Sequence, residues 1–286
     1  MTPARARVIV PTMFLPKRGF FMRDTTKRAA LLHFVSMYTG ITKSGFAGGT
    51  GIIITPLLAM ILRPKESLAI ALPLLFLSDV VNFGLYWNQW RWSVALPLLP
   101  GAALGIVLAT RILVRLSEYW VKKCLGGIAL FFVPIQIARM TIWQTVDLSL
   151  TGLVWYLIIG FAAGFLTGVF STMAHLGGII TTLYLLLALP KTPQLPALMV
   201  GCATLIYFWT NGIKLITYTR AGIITRETMR EIPALTPLLL VGLGVGKWVN
   251  MQFRSHVDVF VYIVLALVIV MAWKLLSEPR PVSNTA

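Results

Sequence analysis

Charge is scarce in this chain. Only 12% of its residues are charged and 57% are hydrophobic, where a soluble globular chain carries about 25% charged residues. A water-soluble fold of 286 residues has too little interior to hide that much apolar surface, so lipid must be part of its solvent. Cysteine is nearly absent. Cys124 and Cys202 have neither metal-ligand spacing nor the number for a disulfide framework, and each lies in or beside an apolar run. Histidine is as rare: His33, His175 and His256 are far apart and offer no acid–base or metal cluster. The chain also lacks a P-loop (G-x-x-x-x-G-K followed by Ser or Thr), H-E-x-x-H and G-x-S-x-G. These absences argue against a self-contained nucleotide-driven pump and against a membrane protease or esterase. No catalytic residue, cofactor or metal is expected.

Acidic residues number nine against 25 Lys and Arg, for a net charge of +16. The excess invites a nucleic-acid partner, but most of the cations sit in short loops between apolar runs, which is the pattern of topology signals. No nucleic acid is expected. Residues 1–28 form a basic tail with the broken apolar pieces VIVP and MFLP. The tail has no continuous apolar core followed by a small-residue cleavage site, so it does not read as a signal peptide. Met22 is an alternative start.

What is present is apolar. Mean hydropathy is +0.82, and ten apolar runs follow the tail: 29–45, 50–62, 67–87, 93–110, 124–140, 152–171, 176–189, 195–218, 232–249 and 257–273. Sixteen Pro and 23 Gly suit membrane helices, where neighbours re-satisfy freed backbone groups. Two runs are too short to span: 50–62 and 176–189 reach about 20 Å as helix, against roughly 30 Å of hydrocarbon. Each follows a glycine-containing break. The expected geometry is a helical hairpin that enters from one face, breaks near the membrane centre and returns.

The halves resemble each other. GFAGGTGIIITPLLAMILRPK (45–65) is similar to GVFSTMAHLGGIITTLYLLLALPK (168–191), and Asn82 precedes Arg91 as Asn211 precedes Arg220, by nine residues each. This is an internal repeat. The expected fold is all-α integral membrane with two inverted-topology repeats, 29–147 and 148–276. Each repeat holds a broken or re-entrant hairpin plus three spanning helices, and 277–286 is a cytoplasmic tail. Five segments per repeat, an odd number, invert the second repeat. With the N-terminus inside, eighteen cations fall inside and four outside. That bias places both termini in the cytoplasm of a multi-pass inner (cytoplasmic) membrane protein.

GFAGGTG, the P-L-L run, the R-P-K turn, Arg91 with ALPLLPGAALG, and the same order again after residue 160 resemble the sulfite exporter TauE/SafE family, also called the TSUP permeases. The likeness covers roughly 34–276. It implies transport of small anions, often sulfur oxyanions or organosulfonates. The second hairpin departs from the pattern, with Met173 and His175 where small residues are expected.

The two short runs begin at the breaks. A helix N-terminus presents free N–H donors and about half a positive charge. Two such ends from opposite faces make an anion site at the midplane of an inverted repeat. The candidates are Ser44, Gly45, Gly48, Gly49, Thr50 and Gly51 in one hairpin and Ser171, Thr172, His175, Gly177 and Gly178 in the other. The competing role for the glycines is close helix packing. Lys43, Asp79 and His175 are ionisable groups inside apolar runs, which costs about 2.5–3.5 kcal/mol each on insertion scales and so points to function. Lys43 is expected to hold the anion, Asp79 to pair with it when the site is empty, and Asp79 or His175 to take a coupling proton. The alternatives are a structural Lys43–Asp79 pair and a capped packing role for His175. Tyr207, Asn211, Lys214 and Tyr218 share one helix face, and Asp79, Asn82 and Tyr86 another. Asn82 and Asn211 are read as walls of a path, with interhelical hydrogen bonding as the alternative. Lys214 and Tyr218 are read as reaching to the interface.

The leading expectation is a secondary transporter of a small anion of the sulfite, thiosulfate or sulfoacetate type, by alternating access around a midplane site. Its partners are that anion and the lipid bilayer. The alternative from another class is a membrane-embedded accessory subunit or enzyme of sulfur or metal metabolism. A third is an anion channel. Saturable, gradient-coupled flux excludes the channel, and flux by the pure protein weakens the accessory-subunit reading.

Overall fold

A computed structural model describes residues 25–45, 53–60, 62–141, 152–189 and 195–252, with isolated positions between 269 and 277. Among the described residues the chain forms ten helices: α1 (Thr25–Gly45), α2 (Ile54–Ala59), α3 (Pro64–Leu85), α4 (Trp92–Ala95), α5 (Leu98–Arg115), α6 (Glu118–Thr141), α7 (Leu153–Ala174), α8 (Gly177–Ala188), α9 (Leu195–Arg220) and α10 (Arg226–Gln252). No strand occurs among them. Five helical stretches are long and apolar enough to cross a membrane: Pro64–Leu85, Trp92–Arg115, Leu153–Ala174, Leu198–Arg220 and Arg226–Val249. The protein is all-helical and multi-pass. Most of the run 257–273, the half boundary near 147–151 and nearly all of the tails lie outside the described residues.

Helices outrun the apolar stretches where the sequence supplies start signals. α3 begins at Pro64 after the extended Arg63, with Glu66 in its first turn. Proline is preorganised for that position and the acid complements the helix dipole. α6 and α10 likewise start on Glu118 and on Arg226–Glu227. Pro97 lacks an N–H and separates the single turn of α4 from α5.

The helix that precedes each break expected from sequence is long. α1 has 21 residues and α7 has 22, or about 31 and 33 Å. The shortness lies in the second arms: α8 has 12 residues, about 18 Å, and α2 only six.

Two helix pairs pack backbone to backbone. A Cβ on Gly40 or Gly242 would strike the facing backbone where α1 crosses α10, as would one on Gly101, Gly105, Gly164 or Gly168 where α5 crosses α7. Small residues at spacing four allow such close approach, the dominant attraction between helices in lipid. The halves exchange elements in the same way. α1 of the first half lies on α10 of the second, α7 of the second lies on α5 of the first, and α3 meets α9.

Contacts also set direction. α1 starts beside α3's start (Arg28 to Glu66, 3.0 Å) and ends beside α3's end (Tyr86 hydroxyl to Ser44 carbonyl, 3.1 Å). α7 ends instead beside α3's start, with His175 Nε2 3.2 Å from the Leu68 carbonyl. α1 and α7 therefore run in opposite directions along α3.

Candidate functional site

The break between α7 and α8 is made by His175, which sits at φ 56°, ψ 24° in the left-handed region. Glycine or asparagine usually fills such a position, and a bulky residue there is strained unless its surroundings hold it. Here they do. The Leu68 carbonyl can only accept, so Nε2 carries the proton and donates to it at 3.2 Å. Nδ1 is then the acceptor for Lys214 Nζ at 3.1 Å. Lys214 Nζ also donates to Ser171 Oγ at 2.8 Å and the Ser171 carbonyl at 3.4 Å. The first turn of α8 follows directly, with no side-chain cap on its N–H groups.

A second group lies on α1, α3 and α9. Lys43 Nζ donates to Asp79 Oδ1 at 2.5 Å, and Asn211 Nδ2 donates to Asp79 Oδ2 at 2.5 Å. Lys43 also stands 4.3 Å from the centre of the Tyr207 ring, a cation–π distance. Tyr207 links the two groups, because its hydroxyl donates to the Gly178 carbonyl at 3.3 Å.

One cavity joins them. It is lined by Thr42 and Lys43 of α1, Ile54 of α2, Leu75 of α3, Ser171 and His175 at the α7 end, Gly178 of α8, and Tyr207, Asn211 and Lys214 of α9. Its volume is about 30 Å³, where one water needs roughly 10–15 Å³ on the same scale. Leu75 is the twelfth of α3's 22 residues, so the cavity lies at that helix's mid-length. Lys43 is 8% exposed, Asp79 1% and Lys214 0%. Lys43 and Asp79 compensate each other, whereas the hydrogen-bond partners of Lys214 are all neutral. Taken with Lys43 and Lys214 as ammonium groups and Asp79 as carboxylate, the three side chains sum to one positive charge, and Lys214 Nζ has three acceptors for its three N–H donors. Chemically, the cavity can hold an anion.

Of the residues expected from sequence, Lys43, Asp79 and Asn211 come together, as do Ser171 and His175, and Gly178 lines the same cavity. Ser44, Asn82 and Thr172 are buried nearby, each with a side-chain oxygen that has no partner among the described residues. Gly45 packs on α10, where a Cβ would lie 3.0 Å from the Gly246 carbonyl. Gly177 packs on α7. Gly48, Gly49, Thr50 and Gly51 lie outside the described residues.

Lys214 and Tyr218 correct the sequence reading. Neither reaches the interface: both are 0% exposed. Tyr218 donates to the Thr172 carbonyl, and Lys214 is part of the cavity. Their signal was the polar stripe with Tyr207 and Asn211. That stripe does not report depth, because the polar partners of Lys214 come from another helix. Among the described residues no group of His, Cys, Asp and Glu is arranged to hold a metal.

A family model described as sulfite exporter TauE/SafE matches residues 32–275. No curated protein and no solved structure matches the chain.

Proposed function

The chain belongs to the sulfite exporter TauE/SafE family, and from that membership we propose that it is a secondary transporter of a small anion. The cargo is of the sulfur oxyanion or organosulfonate class, and it is carried by alternating access around the cavity between Lys43 and Lys214. The observation that carries the reading is the buried mid-helix cavity lined by two lysines, one of them bonded to the Asp79 carboxylate behind it. Ionisable groups at such depth mark substrate pathways. The first turn of α8 adds backbone donors, as at helix-terminus anion sites.

The halves 29–147 and 148–276 act as inverted repeats in this reading. The opposite directions of α1 and α7 along α3 support it, as does the reciprocal packing of α1 on α10 and α7 on α5. Rocking of one half against the other would open the cavity to each side in turn. Both termini face the cytoplasm of the inner membrane, on the ground of the excess of inside cations. A reporter fused after Ala286 should be active only inside, and activity outside would reverse the topology.

The test of function is flux. Purified protein in liposomes is given labelled sulfite, thiosulfate, sulfoacetate and sulfate. Saturable, gradient-coupled movement of at least one sulfur anion is expected. Non-saturating flux means a channel, and flux no greater than in protein-free liposomes for all four removes the transporter reading.

A further inference from the structure

Building on that reading, we propose that Asp79 is a resident counter-anion: a doubly charged oxyanion occupies the cavity only together with one proton, taken up by Asp79, whereas a singly charged anion binds at Lys214 without one. The argument is charge balance in a buried space. Lys43, ion-paired with Asp79, and Lys214, whose Nζ meets three acceptors, enter as two ammonium groups and Asp79 as one carboxylate. A monoanion brings the sum to zero with Asp79 still ionised on Lys43. A dianion would bring three negative charges against two positive and set its second charged oxygen against the ionised Asp79, with both competing for Lys43. A proton on Asp79 restores the balance and frees Lys43 to donate to the second charged oxygen.

The geometry accommodates both states. Asp79 Oδ1 holds one of the three N–H donors of Lys43 at 2.5 Å, so a substrate oxygen on another of them sits beside the carboxylate. Asn211 donates to the other oxygen at 2.5 Å. Its amide also holds an acceptor, so by turning over it can receive the O–H of a protonated Asp79. Bond accounting is simple: one O–H forms on Asp79, the proton comes from water, and no redox step occurs.

Among the described residues the titratable and charged groups around Asp79 are few. α1 brings Lys43. α9 brings Asn211, Lys214 and Tyr207, whose ring lies against Lys43. The α7–α8 corner brings His175 through Lys214. α3 itself carries Tyr86, bonded to Ser44. α10 brings Lys247, half-buried, to the level of Gly45. The Arg28–Glu66–Glu231 cluster lies at the far end of α3. Residues 46–52 read FAGGTGI and add no ionisable side chain.

The test is binding to the full chain in lipid nanodiscs, with thiosulfate as a dianion and methanesulfonate as a monoanion. Both keep their charge across roughly pH 5 to 8, the range in which an ordinary His titrates. For wild type, thiosulfate affinity should fall by up to about tenfold per pH unit as pH rises, the slope of one linked proton, while methanesulfonate binding stays flat. Calorimetry in two buffers should show about one proton taken up per thiosulfate and none per methanesulfonate. Asp79→Asn should bind thiosulfate with no pH slope, and His175→Gln should keep the slope. PH-independent binding of both anions by wild type, a slope that survives Asp79→Asn, or one lost only in His175→Gln each overturns the inference and leaves the transport reading intact. Failure of folded wild type to bind either anion, or any other sulfur oxyanion, overturns both. The wild-type calorimetry decides the matter even if a variant fails to fold.

Discussion

Lys43→Met is expected to abolish transport and to destabilise the protein by about 3–5 kcal/mol, the usual cost of breaking a buried ion pair from one side. The cause is the carboxylate left behind. Asp79 is 1% exposed, and its remaining partner is the Asn211 amide. The double variant Lys43→Met/Asp79→Asn should recover most of the lost stability. Replacing a whole buried ion pair with neutral groups of similar size is often close to neutral, and Asn at 79 still offers Asn211 a partner. Transport should not recover, because the ammonium that would hold the anion is gone. Thermal unfolding and flux measured on the same preparations separate the two roles. A double variant that is both stable and fully active would make the pair a structural device and remove Lys43 from the transport path.

Gly177 and Gly178 are neighbours, yet the same substitution should fail in different ways. A Cβ on Gly177 would lie 2.5 Å from the Thr167 carbonyl oxygen and 2.7 Å from Ser171 Cβ. Backbone cannot yield there without separating α8 from α7. Gly177→Leu should therefore give little folded protein. Gly178 borders the cavity instead. Gly178→Leu should yield folded protein whose transport is abolished, since a four-carbon side chain competes for a cavity of about 30 Å³. Gly178→Ala should weaken apparent affinity more mildly. Gly127, where an added Cβ meets nothing within 4 Å, is the matched control, and Gly127→Leu should fold and transport normally. Unchanged anion affinity in well-folded Gly178→Leu would move the binding site away from the α8 N-terminus.

Several features of the site were legible before any fold was known. Lys43, Asp79 and His175 stood out because each is ionisable inside an apolar run, and all three reach the same cavity or its immediate shell. The stripe of Tyr207, Asn211 and Lys214 was legible from helical spacing, and all three line that cavity. The role of Lys214 was not. Its position near an apparent helix end suggested an interface residue. Burial depends on what packs alongside, and Ser171 and His175 come from a helix some forty residues earlier. Gly45 and Gly177 were grouped with the anion-contacting glycines, and the structure turns both toward neighbouring helices. No local pattern separates a glycine kept for a helix crossing from one kept for a ligand.

Membrane class and the helical runs followed from the sequence by itself, because hydropathy and helix length are properties of neighbouring residues in the chain. The pairing of Lys43 with Asp79 across 36 positions was a chemical expectation that the fold realised. Tertiary structure alone decided the rest: that the first half's α1 packs on the second half's α10, that α7 ends beside α3's start, and that Lys214 is buried against Ser171 and His175. Which helix faces which rests, in lipid, on close backbone packing and interhelical hydrogen bonds between residues far apart in sequence, so no single segment encodes it.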